Sequence, residues 1–141
     1  MKNELIPFIP EHIDLMELRD EKHMKNYKDK IANYATMGLA YTLVVDDEIV
    51  CCAGIVSPHA GIAEAWLVAG KNFDKHGTVI SRTIKNFLKW TQPFYHRYQM
   101  SVLEGFEDAE RFAEFLGFEK EGLMRKFDSE GNNYFMYARV V

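Results

Sequence analysis

Between residues 39 and 68 the chain runs through three consecutive stretches of period-two patterning, joined by connections too short for anything but antiparallel neighbours. Residues 39–45 read as one strand, Asp46-Asp47-Glu48 as a turn, and residues 49–55 as the second arm of a hairpin. Residues 57–61 carry turn chemistry, and residues 62–68 form a third strand. Along it Ile62, Glu64, Trp66 and Val68 share one face, and Ala63, Ala65 and Leu67 the other. Cys51 and Cys52 are the chain's two cysteines, and as strand neighbours they point to opposite faces. They imply neither a disulfide framework nor a metal site.

The period then switches to that of a helix. A loop over 69–77 holds two glycines and two lysines, and Ile80, Ile84, Phe87 and Leu88 mark a helix from about residue 78 to Thr91, closed by Pro93. A strand at 98–103 follows. With a helix as crossover it is expected beside residues 62–68 and parallel to them. Asp108 is the expected cap of a short helix burying Ala109, Phe112, Phe115 and Leu116, with Gly117 as its stop. Strands at 121–127 and 134–140 flank the polar loop 128–133. Ahead of the three-strand run, residues 6–9 read as a first strand, and Pro10 opens a short helix to about Arg19. Asp20 is the expected cap of a second helix with the stripe Met24, Tyr27, Ile31 and Tyr34, ended by Gly38. Its alternating charges between Glu17 and Lys30 read as a solvated face. The order predicts an α+β fold, a mixed and mostly antiparallel twisted sheet with helices on both faces, in a single domain over residues 1–141.

Charge and composition narrow the function. Seventeen Lys and Arg against 21 Asp and Glu leave a net charge of −4, which disfavours a general nucleic-acid binder with its basic stripe. No apolar run approaches the ~20 residues of a membrane span. The opening MKNELIPFIPEH has charge and proline where an export signal needs an apolar core. The expectation is a cytoplasmic, reduced protein with neither nucleic acid nor membrane as partner. His12, His23, His76 and His96 show no ligand spacing, so no metal is expected. Phe94, Tyr95 and Tyr98 cluster after Pro93, as packing under the next strand, an acceptor pocket or a homodimer contact.

The run Ala109-Glu110-Arg111-Phe112-Ala113-Glu114-Phe115-Leu116-Gly117-Phe118, followed by Glu121-Gly122 and the strand from Tyr134 to Arg139, resembles the C-terminal part of the GNAT superfamily of acyl-CoA-dependent N-acyltransferases. With the order of elements, the resemblance covers nearly the whole chain. It implies transfer of an acyl group, most simply acetyl from acetyl-CoA, to a primary amine acceptor. It also implies that residues 62–68 and 98–103 splay apart at their C-terminal ends to admit the coenzyme. A backbone N–H near Leu67 and Val68 would then hold the thioester carbonyl.

In such proteins the loop after the third long strand reads Gln or Arg, two residues, Gly, one residue, then Gly or Ala, and cradles the coenzyme's pyrophosphate. In register, Asn72 falls at the Gln/Arg position, Lys75 at the first Gly and Gly77 at the last, so only Gly77 matches. The implied cofactor-binding residues are Leu67, Val68, Lys75, His76, Gly77 and Thr78, with Lys71 and Arg82 adding charge. Read without the resemblance, Lys71, Lys75 and Arg82 are a solvated rim and Gly77 a turn. The family's general-acid tyrosine falls on Ala113, and its asparagine before the same helix on Phe106. Tyr134 and Tyr137 on the last strand are the candidate substitutes, or simply packing as most strand tyrosines are.

Glu64 is the only acid within residues 62–68, and its face is either near a site or solvent. As catalytic candidate it would be the base that deprotonates the amine, with His59 as a second choice. A rival reading keeps the fold without catalysis. Internal virion proteins of short-tailed bacteriophages look similar at the C-terminal end, and a phage protein of this kind would work in the host cytoplasm or the virion.

Overall fold

Asp46 and Asp47 both adopt positive φ (48° and 67°), the geometry of a two-residue hairpin turn matched to strand twist. That turn joins β2 (Leu39–Val45) to β3 (Glu48–His59) in a computed structural model that describes residues 2–19, 31, 33, 34 and 36–141. The turn after β3 is tighter than the sequence suggests. β3 runs on to His59, and Ala60-Gly61 alone turn the chain, with Gly61 at φ 81°. β4 (Ile62–Ala69) completes the expected antiparallel meander. A 3-10 turn at Phe73–His76 leads into α2 (Gly77–Thr91), which crosses over to β5 (Arg97–Leu103), parallel to β4. The helix α3 (Glu107–Phe115) and the hairpin of β6 (Glu119–Met124) and β7 (Tyr134–Val140) end the chain. At the start lie β1 (Asn3–Pro7) and α1 (Glu11–Leu15).

The seven strands form one sheet in the order β1-β2-β3-β4-β5-β7-β6, mostly antiparallel. One face packs α2 and α3 through Ile55, Ala63, Leu88, Tyr98, Phe118 and Tyr137 and, farther along, Leu43, Val45, Phe73 and Ile80. The other packs α1 and the helical residues 31, 33, 34, 36 and 37 through Phe8, Ile13, Met16, Ile31, Cys52 and Trp66. Cys51 and Cys52 fall in different clusters, as strand alternation requires. The stretch expected to begin the second helix, with its cap Asp20, Met24 and Tyr27, lies outside the described residues. Among the described residues no helix is long and apolar enough to cross a membrane.

Several boundaries move for physical reasons. The first strand is residues 3–7, not 6–9, and is mostly exposed, because an edge strand bonded on one side needs no buried face. α3 begins at Glu107, so Asp108 sits in the first turn, where its charge favours the helix dipole, and Phe106 holds the cap position. Its buried stripe is Ala109, Phe112, Ala113 and Leu116, spaced three, four and seven from the first. Phe115 falls off that stripe and is 58% exposed beneath the Lys85 ammonium.

Candidate active site

β4 and β5 share a ladder of only three pairs, Ile62↔Arg97, Ala63↔Tyr98 and Glu64↔Gln99. Beyond Glu64 and Gln99 the strands part, although β4 continues to Ala69 and β5 to Leu103. This is the splay that the resemblance implies. Main-chain directions fix which groups face the gap. The Gly70 N–H donates to the Val50 carbonyl of β3, while the Ala69 carbonyl accepts from the Arg19 N–H on the opposite side, each at 3.0 Å. Because direction alternates along a strand, Ala65 and Leu67 turn their N–H and C=O toward the gap. Val68 turns its own toward β3, where it faces Cys52, and buries its side chain beside Trp66. Below the gap lies an apolar cavity of about 90 Å³, whose walls include Ala65, Leu67, Ile84, Met100 and Phe112.

Glu64 stands at the apex, in the last pair before the strands separate. Its carboxylate accepts from the Tyr34 hydroxyl at 2.5 Å and from Gln99 Nε2 at 3.3 Å. Burial, and then the adjacent carboxylate, push the Tyr34 phenol well above its ordinary range, so it stays protonated and donating. Gln99 Oε1 in turn accepts from Arg97 Nε at 2.9 Å, and the Arg97 fork donates to Glu121 at 3.0 and 2.6 Å. Tyr34, Gln99, Arg97 and Glu121 went unnoticed as site residues. Their one sequence signal is Gln99, polar inside the strand expected at 98–103, with Arg97 two positions before it and, in β5, on the same face.

The far end of the gap leads to the loop before α2. Gly77 begins the helix at φ −54°, and a Cβ built on it meets no atom within 4 Å. His76 occupies the cap position without a side-chain hydrogen bond, leaving the first amides of a 15-residue helix to other partners. Lys75 and Thr78 are exposed beside it. Lys71 is paired with Glu17 at 3.1 Å, so the expected extra charge there is shared with a carboxylate. Asp74 ion-pairs with Arg19 at 3.2 Å. The Arg19 guanidinium lies 4.7 Å from the Phe73 ring centre and 5.7 Å from that of Phe106, linking the β4 side of the gap to the β5 side.

Other candidates are placed elsewhere. Ala113 is 1% exposed, closed in by the core of β5, β7 and Phe118. Tyr137 donates to Glu110 at 3.3 Å and Tyr134 to Asp128 at 3.3 Å. Both protons are thus committed to carboxylates, and burial pushes both phenols up, Tyr134 to about 12. His12 is buried with Nδ1 2.6 Å from Thr42 Oγ1, and His59 is exposed at the end of β3. Of the aromatic cluster, Tyr98 is core, with its hydroxyl 2.5 Å from Thr91 Oγ1, whereas Phe94 is 71% exposed.

No known protein-family model matches the sequence, and no curated protein matches it either. Solved structures match its fold. Ard1 from Thermoplasma volcanium superposes with a TM-score of 0.79 at 16% identity, over 100% of this chain and 99% of that one. An N-acetyltransferase from Staphylococcus aureus Mu50 gives 0.77 at 14%, over 99% and 98%. A GNAT family acetyltransferase from Elizabethkingia anophelis with acetyl-CoA bound gives 0.75 at 14%, over 99% and 98%. The fold is that of the GNAT acetyltransferases.

Proposed function

We propose that the chain transfers an acyl group, in the simplest case acetyl, from acyl-CoA to a primary amine. One observation carries the reading. The Glu64 carboxylate stands in the last pair before two parallel strands part, and the N-terminus of α2, which has no side-chain cap, follows the open end of the same gap. The acetyl-CoA bound in the Elizabethkingia anophelis structure supports the choice of donor.

Each residue then has a task. The amides of Gly77 and Thr78 hold the coenzyme's pyrophosphate, helped by the helix dipole, the Lys75 ammonium and the His76 ring. Leu67 turns its N–H into the gap and holds the thioester oxygen, with Val68 packing the strand behind it. Acyl-CoA, when bound, supplies the activated carbonyl. Glu64 takes a proton from the acceptor ammonium, directly or through water, and frees the nitrogen lone pair to attack. The C–N bond forms, the C–S bond breaks, the sulfur leaves with the electron pair, and the nitrogen of the new bond releases its second proton to solvent. A thiol with pKa about 8.5 departs tolerably as the anion and takes its proton from solvent. With Ala113 in place of an acid, transfer is slow by the ~10²–10⁴-fold that such help contributes.

The test is acetyl-CoA binding followed by thiol release. Native mass spectrometry and thermal shift should show acetyl-CoA bound. A panel of polyamines, aminoglycosides and peptide N-termini should contain an amine that releases free thiol. No thermal shift at millimolar acetyl-CoA ends the proposal. A second reading, a non-catalytic structural or binding protein on the same fold, is favoured by buried Ala113 and by Phe106 and Lys75 at motif positions. Acetyl-CoA binding without thiol release from any amine selects it.

A further inference from the structure

We infer that Arg97 and Gln99 are positioning residues that hold the Glu64 carboxylate at the apex of the gap without neutralising it. The inference rests on the acyl-transfer reading for its catalytic consequence, and on side-chain geometry alone for its structural part.

A glutamine amide has an accepting edge and a donating edge, and only the donating edge suits a carboxylate. Arg97 decides which edge faces Glu64. Its Nε–H occupies Gln99 Oε1 at 2.9 Å, which leaves Nε2 to donate to Glu64 Oε1 at 3.3 Å. Arg97 is itself fixed, because its two remaining nitrogens engage both oxygens of Glu121 at 3.0 and 2.6 Å. Its charge is therefore held by Glu121, which raises the Arg97 pKa and lowers that of Glu121. Among the described residues, the partners of Glu64 are the uncharged Tyr34 and Gln99. No cation among these partners competes with an incoming ammonium for the carboxylate.

The backbone builds this arrangement. Between β6 and β7 the register slips, with Lys120 facing Tyr137 and Gly122 facing Met136, so Glu121 is the extra residue of a β-bulge. Bulges re-aim side chains. Here the bulge lets Glu121, on the edge strand, reach Arg97 across the intervening β7 strand, where the residue opposite Gln99 is the small Ala138. Arg97 to Lys is not a conservative change at such a site. An ammonium cannot span Gln99 and both Glu121 oxygens, and on its flexible stem it can pair with Glu64 itself.

Two readouts test the proposal. The first needs no substrate. The ¹⁵N–¹H signals of the Gln99 side-chain NH₂ should move in Arg97→Met, Arg97→Lys and Glu64→Gln. Unmoved Gln99 signals in Arg97→Met overturn the orientation argument. The second is initial-rate thiol release from acetyl-CoA with millimolar spermidine as acceptor. Gln99→Leu and Arg97→Lys should each lower kcat roughly tenfold, the scale of a lost hydrogen bond to a charged group, with the KM for acetyl-CoA unchanged. Glu64→Gln should lower it at least as far. If Glu64→Gln slows the reaction but Gln99→Leu and Arg97→Lys do not, the positioning roles are refuted and the base survives. If Glu64→Gln leaves the rate unchanged, or the unsubstituted protein releases no thiol with spermidine or any other amine of the panel, the acyl-transfer reading with Glu64 as base fails and takes the catalytic role with it.

Discussion

Gly77→Asp should stabilise the free protein and abolish its response to acetyl-CoA, two effects of opposite sign from one substitution. Gly77 already has helical φ and ψ (−54°, −40°), and its Cβ position is open, so a side chain enters without strain. Replacing a helical glycine by Asp, itself a poor helix former, contributes about 0.3 kcal/mol, and an acid in the first turn adds ~0.3–1 kcal/mol from the dipole. For a chain of this size each kcal/mol moves Tm by roughly 3–5 °C, so the free variant should melt a few degrees higher. Acetyl-CoA at 100 times its Kd adds ~2.7 kcal/mol to the unsubstituted protein, a rise of roughly 10 °C. In the variant the new carboxylate stands where pyrophosphate would lie and repels it, so that rise should disappear. Gly77→Ala gives the control, with ~0.5–1 kcal/mol from the lost glycine, no dipole gain, and binding retained. Differential scanning fluorimetry with and without acetyl-CoA reads all three proteins. A Gly77→Asp protein that keeps the full shift refutes the placement of pyrophosphate at this helix end. One that melts well below the parent refutes the reading of Gly77 as unconstrained.

Other perturbations have equally definite outcomes. Asp74→Asn removes a carboxylate from the loop and frees Arg19, so isothermal titration should show acetyl-CoA binding several-fold tighter at low salt, with the gain lost near 1 M. Stability should change by under about 1 kcal/mol, because Asp74 is exposed. Restoring the family's tyrosine by Ala113→Tyr should destabilise by ~1–3 kcal/mol in urea melts and give no faster transfer, since the site is closed by the core. Burial raises Cys51 to about 12 and Cys52 to about 11, so Ellman's reagent should leave both untouched in native protein at pH 8 and label both in urea. Because the folded thiols hold their protons more tightly, the stability they contribute is complete below the ordinary thiol range. It is lost as pH rises toward 11–12, which alkaline melts should show.

The parts of the molecule legible in sequence are those where packing forces a pattern. β2, β3 and β4 lie inside the sheet and face a core on both sides, so their apolar strand segments and short turns gave away the pairing, although β3 runs four residues past its expected end, to His59. The edge strands escape because they need no apolar face. β6 is almost wholly exposed, and the apolar Phe127 that drew the expected strand toward residue 127 instead packs on Tyr134, 5.3 Å between ring centres. The candidate site divides along the same line. Glu64 stood out as an acid inside a central strand, where an unneeded charge would be costly. Leu67 against Val68 was beyond the sequence, since only the bonding of Gly70 and Ala69 tells which amide faces the gap. Glu121 was further still from view. A bulge adds a single residue and leaves no trace in periodicity, yet this one turns an edge-strand acid onto Arg97 and so sets the direction of the Gln99 amide. If that relay holds the base, the determinants of reactivity lie partly on the least patterned strand of the fold. Removing the bulge by deleting Glu121 should then cost activity while sparing the core, because no core cluster includes a residue of β6.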